Sequence, residues 1–240
     1  MPSRIYSHLA PVYPHLMRSI DYSLWSDFIH SISREIKRKR ISVLELACGN
    51  GLIAGTLNKK FKYYCATDLS KEMLACFGGV DKVCCDMLAL PFKKQFDFIF
   101  STFDSVNYLT SRQRFIRMLN QAALCLARDG IFTFDVSLEN NSKLYQKYLN
   151  RKGTYNGMKF LQKSYYDEAK RIHYNYFELT LANGSKVEEI HKQKIFRFED
   201  YFSFIDDSDF YVYKCKKAFS EQDASPDSER AQFILKKRRG

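Results

Sequence analysis

The sequence predicts an α/β fold: a parallel sheet crossed over by helices, an antiparallel strand pair at its C-terminal end, and a second, inserted antiparallel sheet. Three observations predict it. Between residues 41 and 136, five short apolar runs alternate with amphipathic stretches, the pattern of a parallel sheet with right-handed crossovers. Beyond residue 150 the pattern becomes polar–apolar alternation, as in half-buried antiparallel strands. At 240 residues and 45% hydrophobic, with 20 Phe and 16 Tyr, the chain can bury one substantial core and is not composed like a disordered one.

Each element has its own signal. Residues 8–38 read as two amphipathic helical stretches, with Asp21 and Ser26 as caps. Residues 41–47 form a short apolar run, as expected of a strand buried on both faces. Residues 48–51 turn, and 52–59 suit a helix. A strand over 62–67 is followed by a helix opened by Ser70 with Glu72 in its first turn. Strands follow at 80–85 and 96–100. Ser111 caps a long helix to about residue 127, with Leu119, Ala122, Ala123 and Leu126 at core spacing, and Asp129-Gly130 turns into a strand over 131–136. Residues 158–166, 170–181 and 186–198 alternate, with Ala182-Asn183-Gly184 as a hairpin turn. Residues 210–216 and 232–237 form the closing antiparallel pair, and 220–230 is a polar, mobile loop. The divisions expected are 1–40, a main domain of 41–150 with 199–240, and an inserted 151–198.

Composition excludes several classes. No window approaches the roughly 18 consecutive apolar residues of a membrane span, and Met1-Pro2-Ser3-Arg4 opens no secretory signal. A cytoplasmic protein without a membrane partner is expected. The seven cysteines include no C-x-x-C pair, so neither a metal site nor a disulfide framework follows, and most are expected to be small buried hydrophobes. The net charge of +11 gathers at 34–40, 214–217 and 236–239. No aromatic-basic nucleic-acid motif accompanies it, so solvated helix ends, lysine-guarded strand edges and a loose tail are preferred to a nucleic-acid partner.

The chemistry sits at the strand ends. Leu44-Glu45-Leu46-Ala47-Cys48-Gly49-Asn50-Gly51 ends the first strand, and its glycines let backbone pass close to a ligand. Gly49 to Ala54 also reads as G-x-G-x-x-A, which admits a dinucleotide. The acids discriminate. Asp68 ends the second strand, where a carboxylate accepts two ribose hydroxyls, which suits either cofactor. Glu45 stands just before the glycine turn, poorly placed for a pyrophosphate but well placed for an ammonium and a sulfonium. Asp86 ends the third strand, positioned to accept from an adenine amino group. Three such acids point to a cationic nucleoside, and S-adenosylmethionine (SAM) is one.

With Ala66-Thr67-Asp68-Leu69-Ser70-Lys71-Glu72-Met73-Leu74, Cys85-Asp86-Met87 and Phe96-Asp97-Phe98-Ile99 in order after the glycine turn, residues 41–136 resemble the class I SAM-dependent methyltransferases. The resemblance implies a Rossmann-like main domain. It implies that Glu45 lies near the cofactor's amino-acid end, with Ala47, Gly49 and Gly51 at its backbone. Asp68 would take the ribose, Leu69 and Met73 would flank the adenine, and Asp86 and Met87 would meet the ring. Ser101 and Thr102 would line the methionine side. Tyr6 to Ala10, Asp21 to Trp25 and Asp104 to Tyr108 look like the small-molecule branch, which includes bacterial amino-sugar N-methyltransferases. In that branch N-terminal helices cover the cofactor and an inserted sheet roofs the substrate, so Tyr6, Tyr13 and Trp25 become lid candidates.

The expected activity is in-line methyl transfer from SAM to a nitrogen or oxygen of a small molecule, which needs positioning more than a protein nucleophile. If a base is required, His173, His191 and Asp104 are the candidates, and Tyr174 and Phe196 are candidates to shape acceptor choice. The segment Ser101-Thr102-Phe103-Asp104 lacks the Asn/Asp-Pro-Pro-aromatic signature of many amino-directed nucleic-acid and protein methyltransferases. The alternatives are a methyltransferase acting on RNA or protein and a non-catalytic cofactor-binding module.

Overall fold

A computed structural model describes residues 5–181 and 183–238. Met1 to Arg4, Ala182 of the hairpin turn, and Arg239 and Gly240 lie outside the described residues.

The main sheet has seven strands. β1 (Ser42–Leu46), β2 (Tyr63–Asp68), β3 (Asp81–Cys84), β4 (Phe96–Ser101) and β5 (Leu126–Ser137) run parallel to one another, while β11 (Arg230–Lys237) pairs antiparallel with both β5 and β10 (Phe210–Lys217). The order is β10-β11-β5-β4-β1-β2-β3. A separate four-stranded antiparallel sheet runs β6 (Arg151–Tyr155), β7 (Met158–Asp167), β8 (Ile172–Thr180), β9 (Lys186–Lys194). The expected α/β architecture, with its antiparallel closing pair and second sheet, is present.

Helices cover both faces of the main sheet. On one, α5 (Arg112–Cys125) and α7 (Phe198–Asp206) bury Phe115, Leu119, Ala122, Tyr201 and Phe204 against Phe132, Phe134 and Phe233. On the other, α2 (Tyr22–Ser33) and α3 (Leu52–Leu57) bury Trp25, Ile29, Ile32, Ile53 and Leu57 against Val43, Phe98 and Phe100. The N-terminal segment, with the short α1 (Tyr13–Leu16), takes a third course. Leu9, Val12 and Leu16 pack on Phe160, Phe177 and Leu179 of the second sheet. Burial of these side chains, at about 25 cal/mol per Å² of apolar area, fixes the N-terminal segment to that sheet.

Caps fall largely where the sequence places them. Asp21 accepts from the Leu24 amide at 2.9 Å, Ser70 from Met73 at 3.2 Å to open α4 (Lys71–Ala75), and Ser111 from Arg114 at 3.3 Å. Ser26 is not a cap; it is buried within α2. Asp129-Gly130 is not a turn between helix and strand. β5 already begins at Leu126, and a register shift against β4 between Phe96 and Phe98 absorbs the extra residues. A Cβ on Gly130 would lie 2.7 Å from the Asp97 carbonyl oxygen, so glycine is what this bulge admits.

Four other expectations fail for identifiable reasons. β6 and α6 (Glu139–Tyr148) form in a stretch too polar to signal either. Of the cysteines only Cys48, Cys65 and Cys125 are buried, because Cys76 and Cys84 fall on solvent-facing positions. The loop after β10 is tied down: Phe219 packs on Trp25 at 4.7 Å, and the Ala224 amide donates to the Cys215 carbonyl at 3.1 Å. The basic C-terminal run is strand rather than loose tail, since Lys236 and Lys237 pair with Tyr211 and Phe210, and Arg238 meets Asp206 at 2.8 Å. No helix among the described residues is long and apolar enough to cross a membrane.

Candidate active site

Strand geometry gathers the site at the C-terminal ends of β1, β2, β3 and β4. After β1 the chain reverses through three left-handed residues, Ala47 (φ 52°), Gly49 (φ 55°) and Gly51 (φ 72°). The two glycines do different work. A Cβ at Gly49 would meet nothing within 4 Å, whereas one at Gly51 would lie 2.3 Å from the Phe77 ring. Gly49 keeps space open; Gly51 lets an aromatic side chain pack under the turn. Asp68 holds the turn in place, its Oδ2 accepting from the Gly49 amide at 2.7 Å and its Oδ1 from the Ser70 amide at 2.8 Å. Burial pushes its carboxyl up while these amides oppose the shift.

Against this turn lies a cleft of about 170 Å³. Of the residues expected at a cofactor, Tyr6, Tyr13, Ala47, Gly49, Asp68, Leu69, Met73, Asp86 and Met87 line it. Five do not. Gly51 faces Phe77. Trp25 packs on Phe103 at 4.5 Å and on Phe219. Ser101 and Thr102 are buried at the end of β4. Glu45 is buried and accepts a 2.6 Å hydrogen bond from the Tyr64 hydroxyl. Burial pushes the Glu45 carboxyl up to about 8, against the Tyr64 hydrogen bond and with help from Asp68.

A second cavity of about 440 Å³ adjoins it, between the N-terminal segment, the end of β4 and the second sheet. Tyr6, Tyr13 and Tyr108 line both, forming a common wall. Its roof is the inward face of the second sheet, where Gln162, Glu189, His191 and Gln193 are buried polar side chains. Buried polar groups are costly unless partnered; Gln162 bonds Arg151 and Asn175, Gln193 bonds Asp104, and Glu189 and His191 belong to a connected chain. The Tyr6 hydroxyl is 2.7 Å from that of Tyr108, which is 2.9 Å from His191 Nδ1, and His191 Nε2 is 3.3 Å from Glu189 Oε2. Glu189 also accepts from the amides of Tyr6, His8 and Leu9 at 2.8, 2.6 and 3.1 Å. Burial alone would raise the Glu189 carboxyl, but these donors together hold it below its ordinary value.

The floor is a charged cluster. Phe103 (φ 58°) and Asp104 (φ 48°) are left-handed non-glycine residues, strain typical of functional sites. The Asp104 amide donates to Asp135 at 2.9 Å, and Arg230 bonds both Asp135 and Asp104. Burial pushes Asp135 up, against the pull of Arg230. Of the base candidates, Asp104 is occupied by Arg230 and Gln193. His173 sits away from both cavities, 2.7 Å from the Ser164 hydroxyl. Only His191 faces the larger cavity. Tyr174 stacks on Tyr165 and Phe196 packs among Phe115, Tyr201 and Phe204, so neither lines it. Glu189, Gln193, Gln162 and Arg230 escaped the sequence reading. The i, i+2, i+4 spacing of Glu189, His191 and Gln193 was the available signal, since it sets three polar groups on one strand face.

Comparison with known proteins agrees with this arrangement. Residues 43–130 match the family model described as a methyltransferase domain. The Bacillus subtilis (strain 168) protein named "Putative methyltransferase YqeM" is 28% identical over 250 aligned residues, covering 97% of each chain. A SAM-dependent methyltransferase from Clostridium acetobutylicum ATCC 824 superposes with a TM-score of 0.78 at 24% identity, over 97% of this chain and 99% of that one. The sugar N-methyltransferase KedS8 from Streptoalloteichus sp ATCC 53650 gives 0.74 at 17% identity, over 100% and 95%. With the glycine turn, Asp68, Asp86 and the sheet order already in place, the match at residues 43–130 shows that this chain carries a methyltransferase domain, and the chain as a whole is similar in fold to SAM-dependent methyltransferases.

Proposed function

We propose that the chain transfers the methyl group of SAM to a nitrogen or oxygen of a small molecule. SAM would occupy the 170 Å³ cleft, with Asp68 at the ribose and Asp86 and Met87 at the adenine; the acceptor would occupy the 440 Å³ cavity. The observation that carries this is the common wall of Tyr6, Tyr13 and Tyr108. These side chains border both cavities, so a methyl donor in one and an acceptor in the other would meet directly beside them, and bringing the two together is most of what an in-line displacement requires. The acceptor's lone pair takes the methyl carbon, and the C–S bonding electrons return to sulfur. Residues 1–40 would act as a lid and 151–198 as the roof, with 41–150 and 199–240 holding the cofactor.

His191 is the base in this account. A proton leaving the acceptor passes to the Tyr6 oxygen, the Tyr6 proton to Tyr108, and the Tyr108 proton to His191 Nδ1. Glu189 balances the imidazolium so formed, and the proton returns by the same path once product leaves. An enclosed roof suits a compact acceptor and obstructs a polymer. Several similar structures carry names of small-molecule enzymes, among them the amino pentose methyltransferase CalS10.

The test is to give the purified chain methyl-labelled SAM and a bacterial extract, then separate small metabolites from RNA and protein. Label in the low-molecular-weight fraction is expected; label confined to RNA or protein contradicts the proposal.

A further inference from the structure

Among the described residues, one charge lining the larger cavity has no balancing partner. Arg151, the first residue of β6, lines it and is half-buried. Its Nε donates to Gln162 Oε1 at 2.7 Å, across the β6–β7 register where the two residues face each other. Gln162 in turn donates to Asn175 at 3.2 Å. These contacts fix the plane of the guanidinium. Among the described residues, neither of its terminal amino groups has a hydrogen-bond partner, and no carboxylate pairs with Arg151. The nearby charge is another cation, Arg18, whose guanidinium donates to the His15 carbonyl and which also has no acidic partner among the described residues. Burial and Arg18 both disfavour the Arg151 charge.

The other charges in the cavity are accounted for. Arg230 is neutralised by Asp104 and Asp135, and both Asp104 oxygens are engaged, by Arg230 and Gln193. His191 is held by Tyr108 and Glu189. A partly desolvated cation with an oriented, unused two-nitrogen edge is costly to maintain empty, and it matches the two oxygens of a carboxylate or phosphate.

We infer that the methyl acceptor is an anion, bearing a carboxylate or phosphate that docks end-on against the two terminal nitrogens of Arg151 while its nucleophile meets the Tyr6–Tyr108 wall. This rests on the small-molecule reading above. It narrows the acceptor to compounds with both a nucleophilic nitrogen or oxygen and an acidic group, and it makes Arg151 a specificity residue with no part in the chemical step.

The test uses the full chain saturated with S-adenosylhomocysteine and two probes, sodium phosphate and sodium acetate, each compared with sodium chloride at equal ionic strength. Thermal shift and calorimetry are expected to show stabilisation of the unsubstituted chain by at least one probe. That affinity should fall about ten-fold or more in Arg151→Gln and stay unchanged in Lys192→Gln, which removes an exposed charge outside the cavity. Whether phosphate or acetate binds identifies the acidic group. Should Arg151→Gln not fold, Arg151→Lys carries the test, because it keeps the charge, loses the fork and is expected to bind several-fold more weakly. No response over chloride, or equal responses in the Arg151 variant and the unsubstituted chain, overturns the inference. The response to S-adenosylhomocysteine is read separately: its absence in the unsubstituted chain would sink the methyltransferase site itself, while its presence with Arg151-independent anion binding sinks only this inference.

Discussion

Single residues in the glycine turn and beneath it separate ligand chemistry from packing. Glu45 carries its proton at pH 7, because its folded pKa of about 8 exceeds the unfolded value of roughly 4.3. A raised folded value means that its contribution to stability is full below the unfolded pKa and is lost as pH rises through the folded one. Glu45→Gln is therefore expected to lose less stability than the unsubstituted chain between about pH 5 and 8, as followed by urea unfolding. A cation seated beside Asp68 favours the ionised form, so SAM binding at pH 7 should expel part of a proton. Binding enthalpy should depend on buffer ionisation in the unsubstituted chain and not in Glu45→Gln; equal dependence in both would show that Glu45 does not sense the ligand. The two glycines make a paired test. Gly49→Ala should cost about 1–2 kcal/mol of stability for its left-handed backbone yet weaken S-adenosylhomocysteine binding about ten-fold, because its Cβ enters the cleft. Gly51→Ala meets the Phe77 ring as well, so it should cost about 3 kcal/mol or more, with strain and overpacking summed.

At the scale of elements, the N-terminal segment is held over the site by Glu189 of β9, through the amides of Tyr6, His8 and Leu9. Hydrogen bonds to a buried carboxylate contribute roughly 1.5–3 kcal/mol each when one partner is charged. Because the folded Glu189 pKa is lowered, this stability is present above the unfolded value of roughly 4.3 and is lost as pH falls through the lower folded value. Protection factors at those three amides, taken against the intrinsic exchange rate at each pH, are expected to fall at acid pH in the unsubstituted chain. In Glu189→Gln they should exchange faster already at neutral pH; unchanged protection would mean that apolar packing of Leu9, Val12 and Leu16 holds the segment alone. Elements with strong periodicity were legible in the sequence: the strands of the main sheet, the Asp21, Ser70 and Ser111 caps, and three of the four strands of the second sheet. The rest was hidden by tertiary context. The β6 sequence Arg-Lys-Gly-Thr-Tyr carries almost no apolar signal, and it is a strand because β7 pairs with it. Trp25 has the composition of a lid residue, but Phe103 and Phe219, distant in sequence, draw it into packing. The strand-end acids Asp68 and Asp86 were readable because their position follows from strand length alone. The polar row Glu189, His191, Gln193 was readable only as an alternation, since nothing local says which face is covered.

For the whole molecule, the net charge of +11 is only partly engaged in structural contacts, and Arg34, Arg38, Lys39, Arg40, Lys59, Lys60 and Lys62 line one basic groove. Arg38 bonds Asp97, Lys214 meets Glu35 at 2.9 Å, and Lys237 donates to the Ala123 carbonyl at 3.0 Å. Truncation at Lys236 would cut β11, so it cannot serve as a test for nucleic acid. Cofactor identity is decided by the melting temperature of the full chain with SAM or with NAD. At about 100 times the dissociation constant a ligand adds roughly 2.7 kcal/mol, which for a chain of this size raises the melting temperature on the order of 5–10 °C. A rise of that order with SAM or S-adenosylhomocysteine, and none with NAD or NADP, is the result this site predicts; a flat response to SAM beside a clear rise with NAD would contradict it.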